Sequence, residues 1–388
     1  MKKINFDFNK VKDFMNLDIN DLKAKLAKAN EKSKSLKVKK EKKRKVVAFD
    51  IGSTNIKIAE GTYYKGILSI EKLIDIPTPA EAIIDGNIEK KELLVSILQK
   101  ALNENGINAK EGICTNNSSL IINREILIPD VKDEELDTVV RYEIQQYLPI
   151  NLDDYVLQMT KIGEEFSDEG KKLEIRAIAY PEKMAKGYYD LLMNLNLKPF
   201  ALDVNYNALN KLLNHIEVIN NSKVNIEESL VFIDMGSTSL DVNIYNNGVL
   251  KFTRIIKAGG KYLDEILYEN MNIPIEEIEK FKSHDIDLKE EELKFQNQII
   301  IDTLDEWIDK IEKIIQFYKS KNFDDDINKI FIYGRTSRIK NLEQYITSKI
   351  GIETIKIRNI PEIINDSNIE VDENIDNFIN VIGSLIRL

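Results

Sequence analysis

The sequence predicts an α/β protein built on a duplicated core, and three observations carry that prediction. First, one pattern occurs twice: residues 46–60 read VVAFDIGSTNIKIAE and residues 230–245 read LVFIDMGSTSLDVNIY. Asp50 and Asp234, Gly52 and Gly236, Ser53 and Ser237, and Thr54 and Thr238 coincide at one offset. Second, the match runs through a tight turn (Lys65-Gly66, Asn247-Gly248) into Leu68, Ile70, Leu73 and Ile74, answered by Leu250, Phe252, Ile255 and Ile256. A repeat of that extent is a duplicated domain core rather than a solenoid unit. Third, 388 residues are enough for two or more domains.

The elements follow in order. Residues 1–45 hold 16 Lys and Arg against 6 Asp and Glu, which leaves the rest at −20 within a total of −10. Val11, Phe14, Met15, Leu22 and Leu26 keep an approximate helical spacing, and a solvated charge run, EKSKSLKVKKEKKRK, follows. The segment reads as a basic, flexible N-terminal extension, or more sharply as a basic amphipathic element that touches anionic lipid or a partner. The first half spans 46–118. Strands are expected at 46–50, 55–60 and 67–76, ended by Pro77 and Pro79. An amphipathic helix over 88–102 is stopped by Gly106, and a strand follows at 111–115.

An insert is expected over 119–181. Acidic residues 133–135 open a helix that Pro149 ends, and the strand-like YVLQMTKIG and KLEIRAIAY flank a polar hairpin. Residues 182–388 form linking helices (182–195 and 204–213) and the second half, whose final apolar helix, in NFINVIGSLIRL, is free to return to the first half. Within the second half, Gly259-Gly260 opens a helix. A long helix over 292–319 buries Ile300, Leu304, Trp307, Ile308, Ile311 and Ile315.

The repeated motif has specific chemistry. An apolar run ending in Asp puts a carboxylate at the end of a central strand. Gly lets the backbone approach a ligand closely, and Ser and Thr offer hydroxyls and N–H groups to an anion. Two such hairpins face to face suit a polyphosphate, with two Asp placed for a hydrated Mg²⁺. One cysteine, Cys114, excludes an intrachain disulfide, and the two histidines, His215 and His284, suggest no metal cluster. The acidic body argues against nucleic acid as the main ligand. The charged start, MKKINFDFNK, lacks a leader's apolar core, and no apolar stretch nears a membrane span, so a cytoplasmic setting is expected.

Two Asp-x-Gly-Ser-Thr hairpins followed by a strand ending in Gly before a helix resemble the actin-like ATPase superfamily. That resemblance implies two ribonuclease-H-like halves around a nucleotide cleft, with a small inserted α+β subdomain in the first half. DIGSTNIK (50–57) stands for the first phosphate motif, DMGSTSLD (234–241) for the second and FIYGRTSRIKNL (331–342) for the adenosine motif. Within the superfamily the chain resembles the PilM family of type IV pilus assembly proteins, related to FtsA. REILIP…VVRYEIQQYLP (124–149), LNLKPFALDVNYNALNKLL (195–213) and the ending INVIGSLIRL carry that likeness.

The resemblance implies ATP or ADP with Mg²⁺ as cofactors. Ser53, Thr54 and Lys57 would meet the phosphates from one side and Gly236, Ser237 and Thr238 from the other. Gly52 would turn the first loop, and Asp50 and Asp234 would hold Mg²⁺ through water. Gly259 and Gly260 would pass close to the nucleotide, Glu279 and Lys282 would contact ribose or base, and Gly334 and Ser337 would lie under the adenosine. Arg335 and Thr336 depart from the Gly-rich adenosine loop, which sets Arg335 beside the base. Relatives carry a water-orienting acid where this chain has Asn205, with Asp203 two residues earlier, so slow or no hydrolysis is expected.

The implied function is a cytoplasmic adaptor at the inner face of the plasma membrane. It would bind the N-terminal tail of a PilN-like inner-membrane protein in a groove beside the insert, near Tyr142, Ile144, Tyr147 and Leu148. Contact with the membrane itself would be indirect or through 1–45, and MKKINFDF resembles such a tail closely enough to occupy the groove of its own or a neighbouring molecule. An FtsA-like filament-forming ATPase and a small-molecule kinase of the same fold are the alternatives. The sequence shows no Asp-bearing substrate motif for a kinase and no FtsA-type membrane-targeting tail.

Overall fold

The computed structural model describes residues 43–148, 150–167, 170–271, 273–288, 295–323, 325–365 and 375–387, so the expectations placed on 1–42 and on Pro149 lie outside it. The first copy of the repeat forms an antiparallel meander of β1 (Arg44–Ile51), β2 (Asn55–Tyr64) and β3 (Ile67–Pro77). Helix α1 (Lys91–Glu104) crosses over to β4 (Glu111–Asn116), which lies parallel to β1. The alternating and continuous apolar runs explain the pattern. β1 is buried on both faces from Val46 to Ile51, whereas β3 alternates near its start.

A fifth strand, KPFALDV, joins the parallel edge of this sheet through β4. Sequence periodicity did not mark it. Its buried run, Ala201–Val204, is four residues long, abuts the following helix and finds its partner far away in the chain.

The insert comes between those two strands. It comprises β5 (Ile122–Pro129), α2 (Asp133–Tyr147), β6 (Tyr155–Ser167) and β7 (Gly170–Pro181), with β7 central in a three-stranded antiparallel sheet. Ile128, Val140, Ile144, Leu173, Ile175 and Ala177 form its own core. α3 (Glu182–Asn194) then leads into the fifth strand, β8 (Lys198–Val204), and α4 (Asn205–Leu213) carries the chain across to the second half.

The second copy repeats the topology: β9 (Ser229–Met235), β10 (Leu240–Asn246), β11 (Val249–Ile256), then α5 (Gly260–Met271), α6 (Ile275–Lys280), α7 (Phe295–Lys321), β12 (Ile327–Tyr333), α8 (Leu342–Ile350) and β13 (Thr354–Lys356). Sheet orders β3-β2-β1-β4-β8 and β11-β10-β9-β12-β13 are the same permutation, 3-2-1-4-5, of the ribonuclease-H type. Trp307 on α7 is fully buried in the second core, as its helical spacing predicts.

The closing helix, α10 (Ile379–Leu385), follows the short α9 (Pro361–Asn365) and packs on α4, β1 and β2 of the first half. Its crossing with α4 is tight. A Cβ added at Gly383 would overlap the Ala208 carbonyl, with the carbonyl carbon 2.6 Å away. α4 in turn touches β11, so the α4–α10 pair lies between the halves.

Gly383→Ala is therefore expected to force the two helices apart and lower the unfolding free energy by about 1–3 kcal/mol, read from chemical or thermal melts. An unchanged stability would contradict the close crossing.

Candidate functional site

The two repeated hairpins meet face to face. In the first, Gly52 N–H donates to Asn55 O at 3.0 Å; in the second, Gly236 N–H donates to Ser239 O at the same 3.0 Å. A Cβ at either glycine would sit 2.9 Å from that carbonyl oxygen, so both turns need glycine for space. The Ser53 hydroxyl lies 3.0 Å from the Ser237 hydroxyl and 3.1 Å from that of Thr238. Thr78 fastens the first turn by donating to Gly52 O at 2.8 Å, and Thr336 fastens the second by donating to Gly236 O at 3.0 Å. The N-terminus of α5 closes against it too: Gly260 and Lys261 N–H donate to Gly236 O and Ser237 O, and a Cβ at Gly259 would lie 2.6 Å from Ser237 O.

Behind the hairpins is a cavity of about 860 Å³. Asp50, at the end of β1, is buried, with Lys57 Nζ 3.8 Å away. The strand register explains why that lysine is there, since Asp50 pairs directly with Lys57. In the second copy the same register pairs Asp234 with Asp241, so a carboxylate stands where the first copy has a cation. Asn380, from α10, donates to Asp234 Oδ2 at 2.7 Å and accepts from the Tyr333 hydroxyl at 3.1 Å. Asn117 and Ser239 donate to Asp241 at 2.8 and 2.9 Å.

Burial is the main force on all three carboxyls. It raises Asp50 despite Lys57. It raises Asp234 to about 7, helped by the Asp241 charge, and Asp241 to about 6 against its two donors. Among the described residues no three His, Cys, Asp or Glu side chains are grouped to hold a metal directly. Mg²⁺, which keeps most of its waters, needs only one or two carboxylates, and Asp50, Asp234 and Asp241 all line the cleft.

A family model for type IV pilus assembly protein PilM matches residues 48–377. The chain belongs to that family. Among solved structures, the PilM–PilN type IV pilus biogenesis complex aligns with a TM-score of 0.73 at 17% identity, covering 88% of this chain and 97% of that one. The ethanolamine utilization protein EutJ from Carboxydothermus hydrogenoformans aligns at 0.49 and 14%, over 87% and 88% of the two chains. MreB5 of Spiroplasma citri bound to ADP aligns at 0.47 and 12%, over 88% and 95%. The fold is the actin-like one, and PilM shares it.

The cleft of this PilM-family chain brings together Asp50, Gly52, Ser53, Thr54, Lys57, Asp234, Gly236, Ser237, Thr238, Gly260, Lys282, Gly334 and Arg335. Gly334 has φ 87°, and a Cβ there would press within 2.6 Å of Asp234 Oδ1. Lys282 is held 2.5 Å from Asp264, and Glu279 sits on α6 with its side chain outside the described set. Arg335 turns across the cleft to Asp75 on β3, 2.9 Å away, so its guanidinium bridges the two halves. Asn117, Asp241 and Asn380 line the cleft and escaped sequence reasoning, and Thr336, noted there only as a departure from the Gly-rich loop, lines it too. Aligning the two motif copies would have exposed Asp241 opposite Lys57; Asn380 has no local signal.

The structure departs from expectation at Asp203, Ser337 and Ile144. Asp203 does not line the cleft: its carboxylate is buried 2.5 Å from Lys211 Nζ and accepts from Asn207, an internal ion pair at the start of α4. Asn205 lines the cleft, its amide oxygen accepting from Thr115 at 2.9 Å. Ser337 is fully buried and donates back to Gly334 O at 2.7 Å, so it closes the loop and faces no ligand space. Ile144 is buried in the insert core and Leu148 packs against that core; Tyr142 and Tyr147, 65% and 72% exposed, remain available on α2.

The raised carboxyls fix a sign for pH. Native Asp241 keeps its proton to about pH 6, whereas an unfolded carboxyl releases it near 3.8, so stability falls as pH rises through that window. Asp241→Asn has no proton to lose. In buffer free of divalent cations and nucleotide, the variant's melting temperature is expected to gain on the parent's between pH 4 and pH 8, by up to about 3 kcal/mol in stability. A gap independent of pH would contradict burial as the cause.

Proposed function

We propose that the chain is an adaptor of the type IV pilus assembly machinery, cytoplasmic and peripheral at the inner face of the plasma membrane. It binds ATP or ADP with Mg²⁺ in the cleft and the N-terminal tail of a PilN-like inner-membrane protein beside the insert. The family match over 48–377 is the observation that carries this reading.

The cleft fits a nucleotide in kind and size. Its volume lies within the range of small-molecule sites. Twin glycine turns present the N–H groups and hydroxyls of Ser53, Thr54, Ser237 and Thr238 to an anion, and Lys57 adds a cation. Bound Mg²⁺ would offset phosphate charge, and Asp50 and Asp234 are the carboxylates to orient its waters. Gly259 and Gly260 keep α5 close against the second hairpin. Hydrolysis is slow or absent because a neutral amide, Asn205, stands where an acid would orient water, and both oxygens of Asp241 already accept hydrogen bonds. Arg335, held by Asp75, limits how the base enters and links nucleotide occupancy to the spacing of the halves. Tyr142 and Tyr147 supply amphipathic area for an extended tail at low entropic cost.

Calorimetry on the full chain tests this reading. ATP–Mg²⁺ is expected to bind and Asp234→Ala to abolish binding, with phosphate release no faster in the parent than in that variant. A synthetic PilN-like tail is expected to bind, with about tenfold loss in Tyr142→Ala or Tyr147→Ala. A chain that binds neither ligand sinks the proposal, and nucleotide without peptide returns weight to a filament or kinase.

A further inference from the structure

A second cavity, of about 280 Å³, lies away from the nucleotide cleft between the insert and the second half. Its walls are consecutive residues of two strands, 123–125 of β5 and 250–254 of β11, with Arg176 of β7 behind them. Both are edge strands: among the described residues β5 pairs only with β7, and β11 only with β10. The groove therefore runs between two strand edges.

Its charge is out of keeping with the molecule. Arg124, Arg176, Lys251 and Arg254 line it against one carboxylate, Glu125, on a body that carries −20 outside its first 45 residues. Arg176 is satisfied, because it donates to Glu125 and to the Leu250 carbonyl. Among the described residues the other two guanidinium groups pair with no carboxylate. Arg124 donates to the carbonyl of its neighbour Asn123 at 3.1 Å, and Arg254 lies over the Phe252 ring at 5.1 Å. Burial and the facing Arg254 charge both weaken Arg124's hold on its proton. Two like charges kept together, one half-buried, cost stability in the free protein, and an anion between them removes that cost.

We propose that this groove binds an extended acidic segment of a partner protein, with its carboxylates on Arg124 and Arg254 and its backbone along the edges of β5 and β11. Guanidinium groups take carboxylates in paired hydrogen bonds. Unpaired strand edges favour an extended chain over a compact anion, since they offer backbone donors and acceptors that only a peptide can match. The site is separate from the nucleotide cleft and from the exposed tyrosines of α2, so it stands or falls independently of the pilus reading.

The experiment uses the full chain and hexaglutamate as the probe, with tripolyphosphate and phosphatidylglycerol vesicles in parallel. Hexaglutamate is expected to bind, weakening with added salt, and Arg254→Ala is expected to reduce its affinity tenfold or more. Arg254 is exposed, so its loss leaves the fold intact, and Arg254→Lys should retain much of the binding. Arg254→Glu pairs with Arg124 and should raise the melting temperature while abolishing hexaglutamate binding. The proposal is overturned by hexaglutamate that does not bind, by equal binding to the parent and Arg254→Ala, by Arg254→Glu melting lower than the parent, or by tripolyphosphate or vesicles binding where the peptide does not.

Discussion

The structure depends on holding Asp50, Asp234 and Asp241 together away from bulk water. Each sits where the strand register of a repeated hairpin puts it, and each has its carboxyl pushed toward the neutral form by burial. Isolated charges in such a place are costly. Lys57, Asn117, Ser239 and Asn380 offset part of the cost, and they come from four different parts of the chain. Carboxyls left short of charge compensation are those whose ionised form a nearby positive charge favours most.

That requirement explains the return of the C-terminal helix. Asn380 reaches Asp234 only because α10 packs onto α4 and the first sheet, and the Gly383–Ala208 contact sets how closely it packs. The same α4 is opened by the buried Asp203–Lys211 pair, which fixes the junction of β8 and helix. The second half's carboxylate is thus oriented by a helix resting on the first half. Arg335 and Asp75 make a further link across the cleft, from the loop after β12 to β3. Any ligand that changes the spacing of the hairpins acts on the Asn380–Asp234 and Arg335–Asp75 links together.

Much of this was legible in the sequence because the informative signals are local. A four-residue apolar run, an Asp, one more apolar residue and Gly-Ser-Thr specify strand, carboxylate and turn within nine residues, and the same pattern occurs twice. The amphipathic helices and Trp307 follow from spacing alone. The misses are non-local or share one signature with packing. β8 is defined by its parallel partner. Asn380 contributes through tertiary contact from 146 positions away. Asp203 reads as a candidate acid until Lys211, two helical turns on, is seen to neutralise it. Ile144 and Tyr142 look alike as apolar helix residues, and only the sheet beneath α2 decides that one is core and the other exposed.

The central claim is that the two hairpins act as one clamp on a polyphosphate. Hydrogen–deuterium exchange of the amides at 52–55 and 236–239, with and without ATP–Mg²⁺, tests it most directly. The account predicts that both turns gain protection together and lose it together in Asp234→Ala. Protection confined to one hairpin, or absent from both at saturating nucleotide, would contradict it.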